Sequence, residues 1–254
     1  MKKTIARFLS FLPVTYQNQL KSIYYNRNNN KRFNIKFKRG IWQINIDSET
    51  LYFLENPFYV FQDLHYYFRK AKLKKGDIVL DAGAFIGTFS IWAAKLVGNE
   101  GTVIAIEPDE KNFRQLQQNI KINNLHNVIA INKGLWEFNG TLLFAPNQSV
   151  SSSFISGETD SRSIQVPVDT IDNIVAEFKL HKLNFIKMDI EGAEIKAIIG
   201  AKDTLARQAV QLAIASYHIV DNEQTYLKLE QILKQYGYIV VTECISETIT
   251  YAGK

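Results

Sequence analysis

The sequence is poor in the residues that could replace a large apolar core. Its 254 residues include a single cysteine, Cys244. Neither an intramolecular disulfide nor a cysteine-based zinc cluster can therefore hold the chain together. That fits a reducing compartment, and the expected location is the cytoplasm. Glycine occurs 13 times and proline 5 times, which excludes collagen-like and low-complexity architectures. No uninterrupted apolar run approaches the roughly 20 residues of a membrane-spanning helix. The opening MKKTIARFLSFLPVTYQ has the charge of a leader peptide. Arg7 and Pro13 interrupt its apolar stretch, however, and no small-residue cleavage site follows. Hydrophobic residues still make up 46% of the chain, enough for one large globular domain or one domain with an appendage.

Acidic residues are missing from the first 40 positions, which contain ten Lys or Arg; Asp47 is the first acid. The net charge of +5 thus divides into +10 for residues 1–40 and −5 for the rest. A uniformly basic nucleic-acid-binding domain is the wrong picture. Within residues 1–25, Ile5, Phe8, Leu9 and Leu12 follow helical spacing, with Lys2, Lys3, Arg7 and Lys21 around them. Such a helix suits packing on the main domain. It also suits a peripheral contact with an anionic membrane surface, on the cytoplasmic face. Residues 26–32, NRNNNKR, read as an exposed loop. Period-two stretches at Phe33, Ile35 and Phe37, and at Trp42, Ile44 and Ile46, predict a small β-hairpin or meander. Residues 58–72 read as a helix. The predicted organisation is a basic extension over 1–56, with helix and β-hairpin, followed by a catalytic domain over 57–254.

From Lys75 apolar strands alternate with amphipathic helices: IVLDAG, TFSIWAAKLV, TVIAIEP, KNFRQLQQNIKINN, NVIAIN, and later NFIKMD, a helix from Ala193, and AVQLAIAS. This order predicts a right-handed, mostly parallel sheet covered on both faces. A helix around 223–236 leads to YIVVTEC and ETITYAG, which should close the sheet as an antiparallel hairpin. Residues 145–163, APNQSVSSSFISGETDSRS, form a long serine-rich loop.

The first βα turn reads Asp81-Ala82-Gly83-Ala84-Phe85-Ile86-Gly87. Gly83 allows a tight turn and close approach of a ligand, and Gly87 allows close helix–strand packing. A dinucleotide fingerprint requires glycine where Asp81 stands, and an acid there repels a pyrophosphate. Glu107-Pro108 ends the next strand, where a carboxylate can accept both hydroxyls of a ribose. A cofactor with a ribose, positive charge and no phosphate meets these conditions. S-adenosylmethionine is such a molecule.

Three segments carry a family resemblance. Asp81-x-Gly83-Ala84-x-x-Gly87, Ile106-Glu107-Pro108 and Lys187-Met188-Asp189-Ile190-Glu191-Gly192-Ala193-Glu194 resemble the FkbM-type methyltransferases, over roughly residues 75–243. Val168-Asp169-Thr170-Ile171-Asp172 is similar to a further segment of that family. The resemblance implies a Rossmann-like class I methyltransferase fold with seven strands, S-adenosylmethionine as cofactor, and O-methylation as the usual activity. It implies that Asp81, Gly83, Ala84 and Gly87 serve the methionine end of the cofactor, that Glu107 serves its ribose, and that Asp189 lies near the methyl group. The chain departs from the family at Ser216-Tyr217-His218, where members often carry Glu-x-His. No residue of Asn132-Lys133-Gly134-Leu135 is assigned to the adenine.

Ligands in open α/β sheets sit beyond the carboxyl ends of the strands, which selects Asp81, Glu107, Asp189 and His218. His218 is the expected general base, with Asp189 and Glu191 as acceptor-binding or proton-accepting partners. Glu194 reads mainly as a helix N-terminal acid. Asp189 and Asp221-Asn222 mimic the order in which some O-methyltransferases of this fold hold a divalent ion. A helix cap is the cheaper explanation of Asp221-Asn222, and no metal is assigned. The expected acceptor is a hydroxyl of a sugar, glycan, glycolipid or other small molecule. A nucleic-acid methyltransferase fits less well, because Asp189-Ile190-Glu191-Gly192 lacks the Pro-Pro-aromatic stretch usual for amine methylation. A non-catalytic scaffold remains the third alternative.

Overall fold

The structure, a computed structural model, describes residues 12–28, 32–145, 153–154 and 164–254. Ile5, Phe8 and Leu9 of the N-terminal stripe, and most of the serine-rich segment, lie outside the described residues.

Seven strands build the main sheet. They are β4 (Ile78–Ala82), β5 (Thr102–Ile106), β6 (Val128–Ile131), β11 (Phe185–Met188), β12 (Gln211–Ala215), β15 (Ile239–Cys244) and β16 (Thr248–Gly253). Their order is β15-β16-β12-β11-β4-β5-β6, and β16 runs antiparallel to both of its neighbours. The expected closing hairpin is therefore present. β4 and β11 occupy the centre and are apolar on both faces, apart from one residue each: Asp81 and Lys187. These two are direct cross-strand partners.

Alternate side chains of one strand feed opposite faces of the sheet. Val79 joins an apolar cluster with Phe89 and Ile91 of helix α3 (Thr88–Val97), whereas Leu80 joins another with Ile174, Ala197 and Leu229. Those three belong to α5 (Ile171–Glu177), α6 (Glu194–Ile199) and α8 (Thr225–Gln235). Thr170 caps α5 by accepting the Asn173 N–H at 3.0 Å. A short α7 (Lys202–Arg207) follows α6.

The N-terminal part differs from its sequence reading in two ways. Helix α1 (Val14–Asn28) runs into the stretch read as loop. Asn26 stays helical because its amide meets the Ile35 backbone, donating to the carbonyl at 2.8 Å and accepting the N–H at 2.7 Å. The period-two stretches form β1 (Asn34–Lys38) and β2 (Ile41–Ile46), and a third strand, β3 (Glu49–Phe53), completes a meander. Helix α2 (Phe58–Tyr67) follows and stops five residues before the expected end. The boundary expected at residue 56 falls inside one continuous apolar cluster, which runs from Ile44 and Phe53 through Phe58 to Phe89 and Phe185.

A second, unexpected sheet has the order β7-β10-β8-β9. Its strands are β7 (Gly134–Leu135), β8 (Gly140–Ala145), β9 (Ser153–Phe154) and β10 (Ile164–Asp169). Asp221-Asn222 also departs from its reading. Both residues have positive φ, 52° and 66°, and they turn the hairpin between β13 (Ile219–Val220) and β14 (Glu223–Gln224). Asn and Asp tolerate that conformation better than other side chains. The residue preceding α8 is Gln224, so the pair does not cap the helix.

Two asparagines tie the meander to the main sheet. Helix α4 (Glu110–Ile122) and the residue after it present Asn119 and Asn123 to the outer edge of β3. Asn119 accepts the Leu54 N–H at 3.0 Å and donates to the Ile86 carbonyl at 2.9 Å. Asn123 accepts the Tyr52 N–H at 2.9 Å and donates to the Tyr52 carbonyl at 2.7 Å. An edge strand is thereby capped by side chains instead of another strand. Asn119→Ala strands the Leu54 N–H and the buried Ile86 carbonyl. It should cost about 2–4 kcal/mol, measured by urea unfolding, and unfolding should remain a single transition.

Candidate active site

The carboxyl ends of β4, β5, β6 and β11 open into one cavity. The β4–α3 turn supplies Gly83, Ala84 and Phe85, the end of β5 supplies Glu107 and Pro108, and the β11 turn supplies Asp189, Ile190 and Glu191. Lys133, Gly134 and Leu135 close one side. Helix α2 covers the other with Tyr59, Asp63 and Tyr67, beside Glu247 and Ile249 of the C-terminal strands. Five of the residues singled out from sequence thus share a cavity: Gly83, Ala84, Glu107, Asp189 and Glu191. Asp81, Gly87 and His218 do not line it.

Asp81 is fully buried. It accepts a hydrogen bond from Ser90 Oγ at 2.5 Å and faces Lys187 Nζ at 3.1 Å. Burial pushes its carboxyl up from the usual range, against the pull of Lys187 and Ser90. Lys187 Nζ also donates to the Gly83 carbonyl at 2.7 Å and the Ala82 carbonyl at 3.3 Å. The ion pair therefore fixes the backbone at the start of the turn. Gly83 has φ +76°, and a Cβ there would stand 1.9 Å from the Asp189 carbonyl oxygen. Only glycine permits the two turns to meet so closely. Gly87 (φ +88°) packs against Leu116, which a Cβ would meet at 2.6 Å.

Glu107 is buried at the cavity wall. Its Oε2 accepts the Phe85 N–H at 2.8 Å and its Oε1 the Asp109 N–H at 3.0 Å. Burial raises its pKa to about 7, although these backbone donors oppose the rise. Asn132 donates to the Glu107 carbonyl at 2.8 Å and so supports this loop from behind.

Asp189 Oδ2 accepts the Tyr67 hydroxyl at 2.9 Å, and the Tyr217 hydroxyl approaches Oδ1 at 3.5 Å. Burial, reinforced by the Asp189 charge, pushes both phenols up. Each therefore remains a donor at neutral pH. Tyr67 escaped sequence reading because nothing in FYVFQDLHYY distinguishes a cavity-facing tyrosine from its neighbours. Lys187 sat inside a quoted motif, yet only the cross-strand register shows its partner.

His218 lies behind Asp189. Its Nδ1 is 3.0 Å from Glu194 Oε1, and its Nε2 is 3.2 Å from Glu191 Oε2 and 3.8 Å from Asp189 Oδ1. Burial alone would lower the imidazole pKa; Glu191, Glu194 and Asp189 outweigh it and raise the value to about 10. That shift favours the imidazolium, which lacks the lone pair that a general base needs. Glu194 is more than a helix-end acid. It is fully buried, and its Oε1 also accepts the Ile190 and Gly192 N–H groups at 3.1 and 3.2 Å. Ser216, which stands where the family often has Glu, instead bonds Thr250 Oγ1 at 2.8 Å.

The strand order, the glycine turn and the acid ending β5 define a methyltransferase of the Rossmann-like class I fold. A profile of the Methyltransferase FkbM domain matches residues 81–240, and the chain belongs to the FkbM methyltransferase family. Similar proteins include Methyltransferase 1 of Beauveria bassiana, 22% identical over 66% of this chain and 74% of the fungal protein. Hexuronic acid methyltransferase AglP of Haloferax volcanii is 26% identical over 57% of each chain. The crystal structure of Methyltransferase FkbM from Methylobacillus flagellatus KT superposes with a TM-score of 0.57 at 19% identity. That superposition covers 92% of this chain and 59% of the other. The chain thus spans somewhat more than half the length of two of these relatives.

Lys187→Met leaves the Asp81 carboxylate buried without its counter-charge. Destabilisation of about 3–5 kcal/mol is expected by chemical denaturation. Asp81→Asn added to that variant should recover part of the loss, whereas additive losses would show that the two side chains do not interact.

Proposed function

We propose that this chain transfers a methyl group from S-adenosylmethionine to a hydroxyl of a sugar, glycan, glycolipid or other small molecule. The observation that carries this reading is one cavity joining the Gly83 turn, the desolvated Glu107 carboxylate and the tyrosine-held Asp189. The cavity suits the cofactor. Both Glu107 oxygens are positioned by backbone N–H groups and retain lone pairs for ribose hydroxyls. The two lysines in the wall are already committed, Lys133 to Asp169 at 2.8 Å and Lys187 to Asp81. A phosphate-bearing cofactor would find neither of them free.

When bound, the cofactor supplies a methyl group already activated on a sulfonium. The work of the chain is alignment and removal of one proton. Asp189 orients the acceptor hydroxyl and takes its proton, with Tyr67 fixing the carboxylate through Oδ2. This role passes from His218 to Asp189 because the imidazole is protonated. The acidic wall of Asp63, Asp189, Glu191 and Glu247 favours a neutral hydroxyl acceptor. AglP supports a sugar as the acceptor class. Its hexuronic acid would be a poor guest here, because a uronate would face these carboxylates.

Calorimetric titration with S-adenosylmethionine and S-adenosylhomocysteine, with NAD as control, tests the cofactor; binding of the adenosyl ligands alone is expected. A proton on Glu107 competes with ribose hydroxyls donating to it. Affinity should therefore be level above pH 7 and fall by up to about tenfold per pH unit below it. Glu107→Gln should bind more weakly and lose that part of the dependence. Equal affinity and an unchanged profile in this variant would remove Glu107 from the ribose site. Labelled methyl appearing in neutral sugar or glycolipid acceptors would establish the reaction; label in RNA alone would overturn the acceptor class.

The peripheral membrane contact also has support. Helix α1 leaves Val14, Tyr16, Leu20, Ile23 and Tyr24 exposed, close in sequence to Lys21 and Arg27. No helix among the described residues is long and apolar enough to cross a membrane. Flotation with anionic vesicles should carry the full chain upward, and Leu20→Ser with Ile23→Ser should reduce the floated fraction. Equal flotation of both proteins would sink the idea.

A further inference from the structure

His218, Asp189 and Glu191 are arranged as ligands without a common guest. The His218 side chain is only 9% exposed, yet neither ring nitrogen has an aligned hydrogen bond. Its Nε2 is aimed at the gap between Asp189 Oδ1 and Glu191 Oε2, 3.8 and 3.2 Å away. One ligand atom from each of the three residues lies within 4.8 Å of the others. Around an octahedral ion bound at about 2.1 Å, neighbouring ligand atoms stand about 3 Å apart and opposite ones about 4.2 Å. The separations of His218 Nε2 from the two carboxylate oxygens, 3.8 and 3.2 Å, fall between those values.

Two of the three ligands also have an outer support, as metal ligands usually do. Tyr67 holds Asp189 through Oδ2, away from the imidazole. Glu194 faces Nδ1 and is itself held by two backbone N–H groups, which turns Nε2 toward the carboxylates. Glu191 stands at φ +56° and is followed by Gly192 at +101°. A non-glycine residue in that region is uncommon and often marks a functional constraint. Sequence reading paired Asp189 with Asp221-Asn222 and assigned no metal, because a helix cap was the cheaper explanation of that pair. The fold instead spends those two residues on an exposed hairpin turn and brings Glu191 and His218 to Asp189.

We propose that Asp189, Glu191 and His218 Nε2 bind a divalent cation of the Mn²⁺ class, with Glu194, whose Oε1 stands 3.0 Å from Nδ1, as the positioning residue behind the imidazole. Two carboxylates and one imidazole suit Mn²⁺ better than Mg²⁺, which prefers all-oxygen sites. The ion takes the place of the imidazolium proton among three carboxylates. Asp189 and Glu191 line the cavity, so the ion would border the space open to an acceptor. An acceptor hydroxyl bound there becomes more acidic and releases its proton to water, so that with the ion bound Asp189 orients the hydroxyl and need not take its proton. Its oxygen then attacks the methyl carbon as the carbon–sulfur bond breaks, and the sulfonium becomes a neutral thioether. This role rests on the methyl-transfer reading; the site itself does not.

The test is a titration of the metal-free chain with MnCl₂, without cofactor or acceptor, following the signal of free Mn²⁺ by electron paramagnetic resonance. One ion per chain is expected. His218→Ala and Glu191→Gln should each weaken binding about tenfold or more, and Glu194→Gln should weaken it by a similar factor through loss of the ring's orientation. Circular dichroism confirms that each variant is folded. A wild-type chain that leaves the free signal unchanged at millimolar Mn²⁺ overturns the proposal, and so does undiminished binding in folded His218→Ala. Because cofactor is absent, failure here is separate from failure of the adenosyl titration.

Discussion

The buried pair of Asp81 and Lys187 is the constraint on which the site is built. Two opposite charges lie on adjacent central strands, in register, where both faces of the sheet are otherwise apolar. Such a pair stabilises little by itself, because desolvating the two ions offsets most of their attraction. Its value is positional. The ammonium reaches beyond the strand end to the carbonyls of Ala82 and Gly83, so the charge that balances Asp81 also holds the first turn. That turn then meets the next one, with Gly83 pressed against the Asp189 backbone. The site's two halves, the glycine turn and the acid after β11, are thereby located against each other.

The N-terminal elements matter for the same reason. The meander is not an independent appendage in its packing, since it shares its apolar cluster with α3 and the main sheet. Asn119 and Asn123 hold the edge of β3, and β3 leads directly into α2. From α2 comes Tyr67, which reaches across to the carboxylate of Asp189. A cavity formed by strand ends alone would be open on one side. Here the added helix supplies a further wall, and the strand that leads into it is held by two amides at the end of α4.

Much of the fold was legible because parallel strands covered on both faces must be apolar throughout, and helices must show their own period. IVLDAG and TVIAIEP announce themselves, and so do the acids that end them. Lys187 was visible as a residue, but its partner required the register of two strands separated by more than a hundred residues. Glu194 looked like a common first-turn acid because sequence shows a helix end and not what lies beyond it. The second sheet was missed because its strands are short and β9 contains two residues. Asp221-Asn222 misled for a specific reason: the residue types that cap helices are also the ones that tolerate positive φ in a hairpin.

Charge is the remaining constraint on chemistry. The cavity presents Asp63, Glu107, Asp189, Glu191 and Glu247, while its two lysines are paired with acids of their own. Burial and mutual repulsion push Asp63 and Glu247 up from the usual carboxylate range. Such a surface repels polyanions, and the ten cations of the first 40 residues do not alter that at the site. It attracts positive charge instead. On the methyl-transfer reading, a sulfonium cofactor supplies one such charge, at the place where an acceptor hydroxyl loses its proton. A negative field there raises the hydroxyl's own pKa and opposes the reaction. A divalent cation held by Asp189, Glu191 and His218, as inferred above, would offset that field at the oxygen that becomes the nucleophile.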